Sequence, residues 1–143
     1  MELGTTSAII TFAIKLNEQS QVIYNQVMEA SDNMQLLEAI HAMQKRQSKR
    51  TKRLHRFRRE LVTEMILEPI HGFNREDFSI DMKISPDMTV AELVSVLLMN
   101  EENMKNYLTT AAEKLDFLPE LSDQLQMLSD DLENNIQLLK GFQ

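Results

Sequence analysis

The chain contains no cysteine. That excludes disulfides, cysteine-ligated zinc, iron–sulfur clusters and thiol chemistry, and it fits a reducing compartment. Glycine and proline number three each in 143 residues, few enough to favour long helices. No apolar run near the start reaches the length of a membrane span. SAIITFAI, residues 7–14, ends at Lys15 and lacks the basic flank and small-residue cleavage site of a secretory signal. A cytoplasmic protein is expected. There is also no glycine-rich phosphate loop and no Gly-x-Ser-x-Gly, so the phosphate-cradling and nucleophile-elbow chemistries have no motif to start from.

What the chain does have is the composition of a soluble globular protein, 43% hydrophobic and 26% charged. Its length suits one domain spanning residues 1–143. Apolar residues recur at spacings of three and four, which predicts helices over about 7–30, 33–67, 89–114 and 119–140. The first carries Ile9, Phe12, Leu16, Ser20, Ile23 and Val27 on one face, with Thr5, Thr6 or Ser7 as N-cap. The second follows Ser31-Asp32-Asn33 with Leu36, Ile40, Met43, Gln47, Arg50, Leu54, Phe57 and Leu61. Thr89-Val90-Ala91-Glu92 is a capping box opening the third, whose stripe is Leu93, Leu97, Asn100, Met104, Tyr107 and Ala111. Pro119 suits the first position of the fourth, whose Leu121, Leu125, Leu128, Leu132, Asn135 and Leu139 run to Gly141 as its C′ residue. Between the second and third helices lies a connection of about 68–88, punctuated by Pro69, Gly72 and Pro86.

Two short-linked helix pairs joined by one long connection predict an all-α four-helix bundle with a single crossover between helices 2 and 3. The pairs also look related. Aligning LNEQSQVIYNQVMEA with MNEENMKNYLTTAAE matches Asn17 to Asn100, Glu18 to Glu101 and Tyr24 to Tyr107, each 83 residues apart.

AIKLNEQSQVIYNQVMEA resembles the first helix of rubrerythrin-like proteins of the ferritin superfamily, NEENMKNYLTTAAE the third and LSDDLENNIQLLKGF the fourth. The resemblance implies a ferritin-like bundle that holds two metal ions through a Glu from each of two helices and a Glu-x-x-His from each of the others. Position by position, this sequence lacks those ligands. The single Glu of the first and third helices falls on Asn17 and Asn100, the histidines on Arg50 and Asn135, and their paired Glu positions on Gln47 and Leu132. Amide oxygens are weak ligands, leucine is none, and arginine carries a positive charge to the place of a cation. Neighbouring residues do not rescue the site. Glu18 and Glu101 are one step, about 100° of turn, off the apolar stripes. His41, His55 and His71 have no acidic residue three positions before them on an apolar face. No metal, cofactor or catalytic residue is expected.

Asn17, Gln47, Arg50, Asn100 and Asn135 are polar members of otherwise apolar stripes. Either they are separate core amides and water-lined gaps, or they form one layer in the bundle centre, with Arg50 donating to an amide of Asn17, Asn100 or Gln47. Arg50 could also bend outward to Glu18 or Asp131. Asp130-Asp131 and Glu101-Glu102 read as solvated helix surface, and Tyr24 and Tyr107 as half-buried bundle tyrosines. The ten methionines, Met34, Met43, Met99, Met104 and Met127 among them, read as core packing.

The segment KRQSKRTKRLHRFRR, residues 45–59, holds nine of the fifteen Lys and Arg in a chain of net charge −7. Outside it, six Lys and Arg stand against all twenty-two Asp and Glu, a balance of −16. Lys45, Arg46, Lys49, Lys52, Arg53, Arg56 and Arg59 lie off the apolar stripe as a basic surface patch. Three readings stay open: a helix salt-bridged to acidic neighbours such as SDDLEN, a surface binding anions or nucleic acid, or a protein interface that includes self-association as a homodimer. No exposed aromatic residue is expected that would stack on bases. The expected function is a metal-free, non-catalytic structural or interaction role. The alternatives are a diiron-type oxidoreductase or peroxidase with unusual ligands, and an anion or nucleic-acid binder acting through helix 2.

Overall fold

A computed structural model describes residues 2–61 and 70–143. Four helices dominate: α1 over Thr6–Ala30, α2 over Met34–Leu61, α3 over Val90–Lys114 and α4 over Pro119–Lys140. The expected continuation of helix 2 to about residue 67, and the start of the connection at 68, lie outside the described residues. None of the described helices is long and apolar enough to cross a membrane.

Local chemistry sets most boundaries. Thr5 caps α1, its hydroxyl accepting from the Ala8 N–H at 3.0 Å. Asn33 does the same for α2 by accepting from Leu36 at 3.0 Å. The Thr89–Glu92 capping box is formed in both directions, and Pro119 occupies the first turn of α4. Gly141 departs from expectation. It keeps a right-handed helical conformation, φ −62° and ψ −15°, instead of the left-handed one of a C′ glycine, and its N–H still bonds to Gln137.

Pairings between helices fix their directions. Asn17 and Asn25 of α1 meet Thr51 and Gln44 of α2, while Thr109 and Lys105 of α3 meet Ser129 and Glu133 of α4. Tyr24 and Ile9 of α1 meet Glu101 and Tyr107 of α3, and Arg46 and Arg56 of α2 meet Asn135 and Gln124 of α4. Every one of these pairs is antiparallel. The ring order is therefore α1, α2, α4, α3, with α2 and α3 pointing the same way on opposite corners.

The described connection, residues 70–89, is tied down at both ends. Leu3 donates to the Phe73 carbonyl at 2.6 Å and Ile70 to the Gly4 carbonyl at 3.0 Å. Gly72 turns between them at φ +77°, a left-handed conformation that suits glycine. A short 3₁₀ turn, Arg75–Phe78, follows. Phe73 stacks on Tyr107 and Phe78 meets it edge-on, at centroid distances of 5.0 and 5.2 Å. Further on, Met82, Ile84 and Met88 pack against the other end of the bundle beside Ile23, Val27 and Leu93.

The apolar core falls into two clusters. One gathers Ile9 to Leu16, Leu54, Phe57, Met104 to Leu115 and Leu125 to Leu132. The other holds Ile23 to Val27, Leu36 to Met43, Leu93 to Leu98, Ile136 and Leu139. Along every helix, a buried polar residue separates the two.

Candidate functional site

The separating level is built from Asn17 and Ser20 of α1, Gln47 and Arg50 of α2, Asn100 and Glu101 of α3, and Asn135 of α4, all buried. Asn17, Gln47, Arg50, Asn100 and Asn135 thus stand together in the interior and not in separate solvent-facing positions. Leu132 is buried as well, on the apolar side of the level.

Two hydrogen-bonded halves make up the layer. On the α1/α2 side, Arg50 Nε donates to Asn17 Oδ1 at 2.6 Å, and Asn17 Nδ2 donates to Thr51 Oγ1 at 2.6 Å. Gln47 Nε2 reaches the Asn17 carbonyl at 3.3 Å. Of the three partners considered for Arg50, Asn17 is the one it takes. It does not bend outward to Glu18 or Asp131, being 2% exposed. Nη1 and Nη2 of Arg50 have no hydrogen-bond partner among the described residues.

The α1/α3/α4 side centres on Glu101, which is 0% exposed. Its Oε1 accepts from the Tyr24 hydroxyl at 2.6 Å and from Asn135 Nδ2 at 2.8 Å, and its Oε2 accepts from Asn100 Nδ2 at 2.9 Å. Asn100 also donates to Ser20 Oγ at 3.0 Å. Asn135 Oδ1 accepts from Arg46 at 2.8 Å, so one member of the surface patch sends its head inward. The halves meet at Tyr24. Burial holds its hydroxyl well above the usual tyrosine range, the neighbouring Glu101 carboxylate adds to that, and the Arg50 guanidinium pulls the other way.

Glu101 overturns the expectation that Glu101-Glu102 is solvated surface; only Glu102 is exposed. One step off the main stripe of α3 lies a second buried stripe, Val94, Leu98, Leu108 and Ala112, because α3 packs on α1 and on α4 at once. Glu101 occupies its middle. That second apolar periodicity was the available signal. The tyrosines are also corrected: Tyr24 and Tyr107 are both fully buried, not half-buried, and Tyr107 donates to the Ile9 carbonyl at 2.6 Å. The 83-residue match breaks at Glu18, which is exposed while Glu101 is buried. Of the named methionines, Met43 and Met104 are core, but Met34, Met99 and Met127 are 69%, 57% and 57% exposed.

Among the described residues, those of the layer do not fit a dimetal centre. Arg50 brings a cation into the layer, Leu132 has no donor atom, and Glu101, the layer's carboxylate, already accepts three hydrogen bonds. Glu38 stands three residues before His41, but both are on the exposed side of α2, and His71 is exposed in the connection. Among the described residues no group of three or more histidine or acidic side chains is placed to hold a metal ion.

On the surface, Lys45, Lys49, Lys52, Arg53, Arg56 and Arg59 are exposed and Arg46 is partly buried. Arg56 pairs with Glu60 one turn on at 3.7 Å and donates to Gln124 of α4 at 3.2 Å. Asp130 and Asp131 bond instead to Gln126 and Asn134 of their own helix. Among the described residues, no salt bridge joins the patch to SDDLEN, as the first of the three open readings would require. No protein-family model, no curated protein and no solved structure matches this chain.

Proposed function

We propose that the chain is a ferritin-like bundle, similar to rubrerythrin-like proteins, whose dimetal ligands have been replaced and which acts without metal as a cytoplasmic structural or protein-interaction protein. The ring of antiparallel neighbours, with α2 and α3 parallel, supports the ferritin-like crossover: two parallel helices at opposite corners need a connection that runs the length of the bundle. The observation that carries the metal-free reading is Arg50. Its guanidinium is buried at a position where the resemblance puts a histidine ligand, hydrogen-bonded to Asn17, which stands in for a glutamate. A cation already fixed there opposes a second one.

The polar layer then serves to hold the four helices in register. Slipping α2 or α3 by a turn would carry Arg50 or Glu101 into one of the two apolar clusters, and slipping α1 or α4 would withdraw Asn17, Tyr24 or Asn135 from these side chains. Either leaves a buried charged side chain short of partners, a penalty of several kcal/mol. Partner contact falls to the charged exterior, through another protein or another copy of the chain.

Elemental analysis of protein purified without a histidine tag, after exposure to iron and manganese, tests this. Metal far below stoichiometry is expected. About two iron or manganese ions per chain would overturn the reading in favour of a diiron-type oxidoreductase with unusual ligands.

A further inference from the structure

The outer face formed by α2 and α4 divides charge along its seam. Arg46, Lys49, Arg53 and Arg56 follow one another at three and four residues on α2, on the flank that turns toward α4, as the Arg46–Asn135 and Arg56–Gln124 bonds show. Facing solvent on α4, on the flank opposite the Ser122, Ser129 and Glu133 edge that meets α3, runs a second stripe: Glu120, Asp123, Met127, Asp131, Asn134 and Leu138. Every member of that stripe is exposed, including two large apolar side chains, Met127 at 57% and Leu138 at 37%. A positive stripe and a negative, partly apolar stripe lie side by side, and among the described residues no ion pair joins them within the chain.

We propose that the protein forms a two-fold symmetric dimer through this face, the basic stripe of α2 in each copy lying on the acidic and apolar stripe of α4 in the other. This rests on the interaction reading above and names its partner as a second copy. Symmetry supplies the argument. A two-fold axis parallel to the helices carries α2 of one copy over α4 of the other at unchanged height and in antiparallel direction. A two-fold axis across the helices would lay α2 on α2, positive on positive. With the axis along the bundle, the register set by Arg46–Asn135 and Arg56–Gln124 is reproduced between copies. Lys49 then stands level with Asp131 of the other copy, Arg56 with Asp123 and Arg59 with Glu120. The exposed Met127 and Leu138 are covered near the axis, where an isologous contact places its apolar centre. The molecule's own surface thus matches the patch in both sign and spacing.

The experiment is sedimentation velocity on the full chain at about 100 μM, in roughly 50 mM and 500 mM salt. A dimer is expected at low salt that weakens at high salt. Two charge-reversed variants are then compared, K49E/R56E and D123K/D131K, each checked for native helicity by circular dichroism. In the first both stripes are negative at the contact, and in the second both are positive. Each is expected to be monomeric alone, and their equimolar mixture to form a heterodimer, since every reversed contact is again opposite in sign. A heterodimer from two monomeric variants is an outcome that general damage to folding cannot produce. A native chain monomeric at low salt, variants that dimerise as the native chain does, or a mixture that stays monomeric overturns the proposal. Saturable, salt-sensitive binding of duplex DNA by a native chain that stays monomeric also overturns it and points the patch at phosphates. Metal content measured on the same samples keeps the metal-free reading separate: it can fail while the dimer stands, or stand while the dimer fails.

Discussion

Glu101 and Tyr24 are where single residues carry the most consequence. Glu101 receives Tyr24, Asn135 and Asn100 inside the bundle, and replacing it with leucine removes the acceptor from three buried donors at once. Glu101→Leu is expected to lose about 3–5 kcal/mol in urea unfolding; a loss below about 1 kcal/mol would mean that solvent reaches the layer. Tyr24 makes a pH prediction. Its folded-state pKa is raised above the ordinary value of 10.0, so folding holds the phenol neutral. The stability this gives is complete below pH 10 and falls as the pH climbs from there toward the raised folded value, by about 1.4 kcal/mol per pH unit. Tyr107, also raised chiefly by burial, adds a parallel slope. Tyr24→Phe should therefore start less stable at pH 8 yet decline more gently between pH 10 and 11 in urea midpoints, while an unchanged slope would remove Tyr24 as its source. At this scale the sequence was half legible. Asn17, Gln47, Arg50, Asn100 and Asn135 stood out because they interrupt apolar stripes. Glu101 did not, because it lies off the main stripe of α3: its burial depends on α3 having two neighbours, and only the fainter second stripe of Val94, Leu98, Leu108 and Ala112 marks it.

Helices announce themselves through their ends. The capping box of α3 joins the Thr89 hydroxyl to the Glu92 N–H at 3.2 Å and the Glu92 carboxylate to the Thr89 N–H at 3.2 Å. Both bonds are local, so both were readable from four consecutive residues. Thr89→Ala is expected to lower stability by about 1 kcal/mol, with a correspondingly lower thermal midpoint by circular dichroism. No change would show that the first turn of α3 is held by its packing on the connection and not by the cap. Gly141 shows the limit of such reading. A glycine after the last apolar residue suits a left-handed cap, but the chain stays right-handed there and its amide bonds back into the last turn. The connection shows the same limit. Its lack of helical spacing was plain, but Phe73 and Phe78 closing on Tyr107 is a contact between residues about thirty apart, with no local signature.

For the whole molecule, the two apolar clusters and the polar level between them place oppositely charged groups, Arg50 and Glu101, in one buried plane. The exterior is polarised in turn, with the α2 stripe positive and the remainder of the chain negative. Sequence alone determined the helical class, four of the helix starts, the apolar stripes and the concentration of positive charge in residues 45–59, because each depends on spacing or composition within one segment. Which helices are neighbours, that Arg50 takes Asn17 and Glu101 takes Tyr24, and that the basic side chains leave Asp130 and Asp131 unpaired by them, was decided only when the helices came together. These are pairings between residues thirty to ninety positions apart, and their selection depends on direction, register and burial, which no single segment contains.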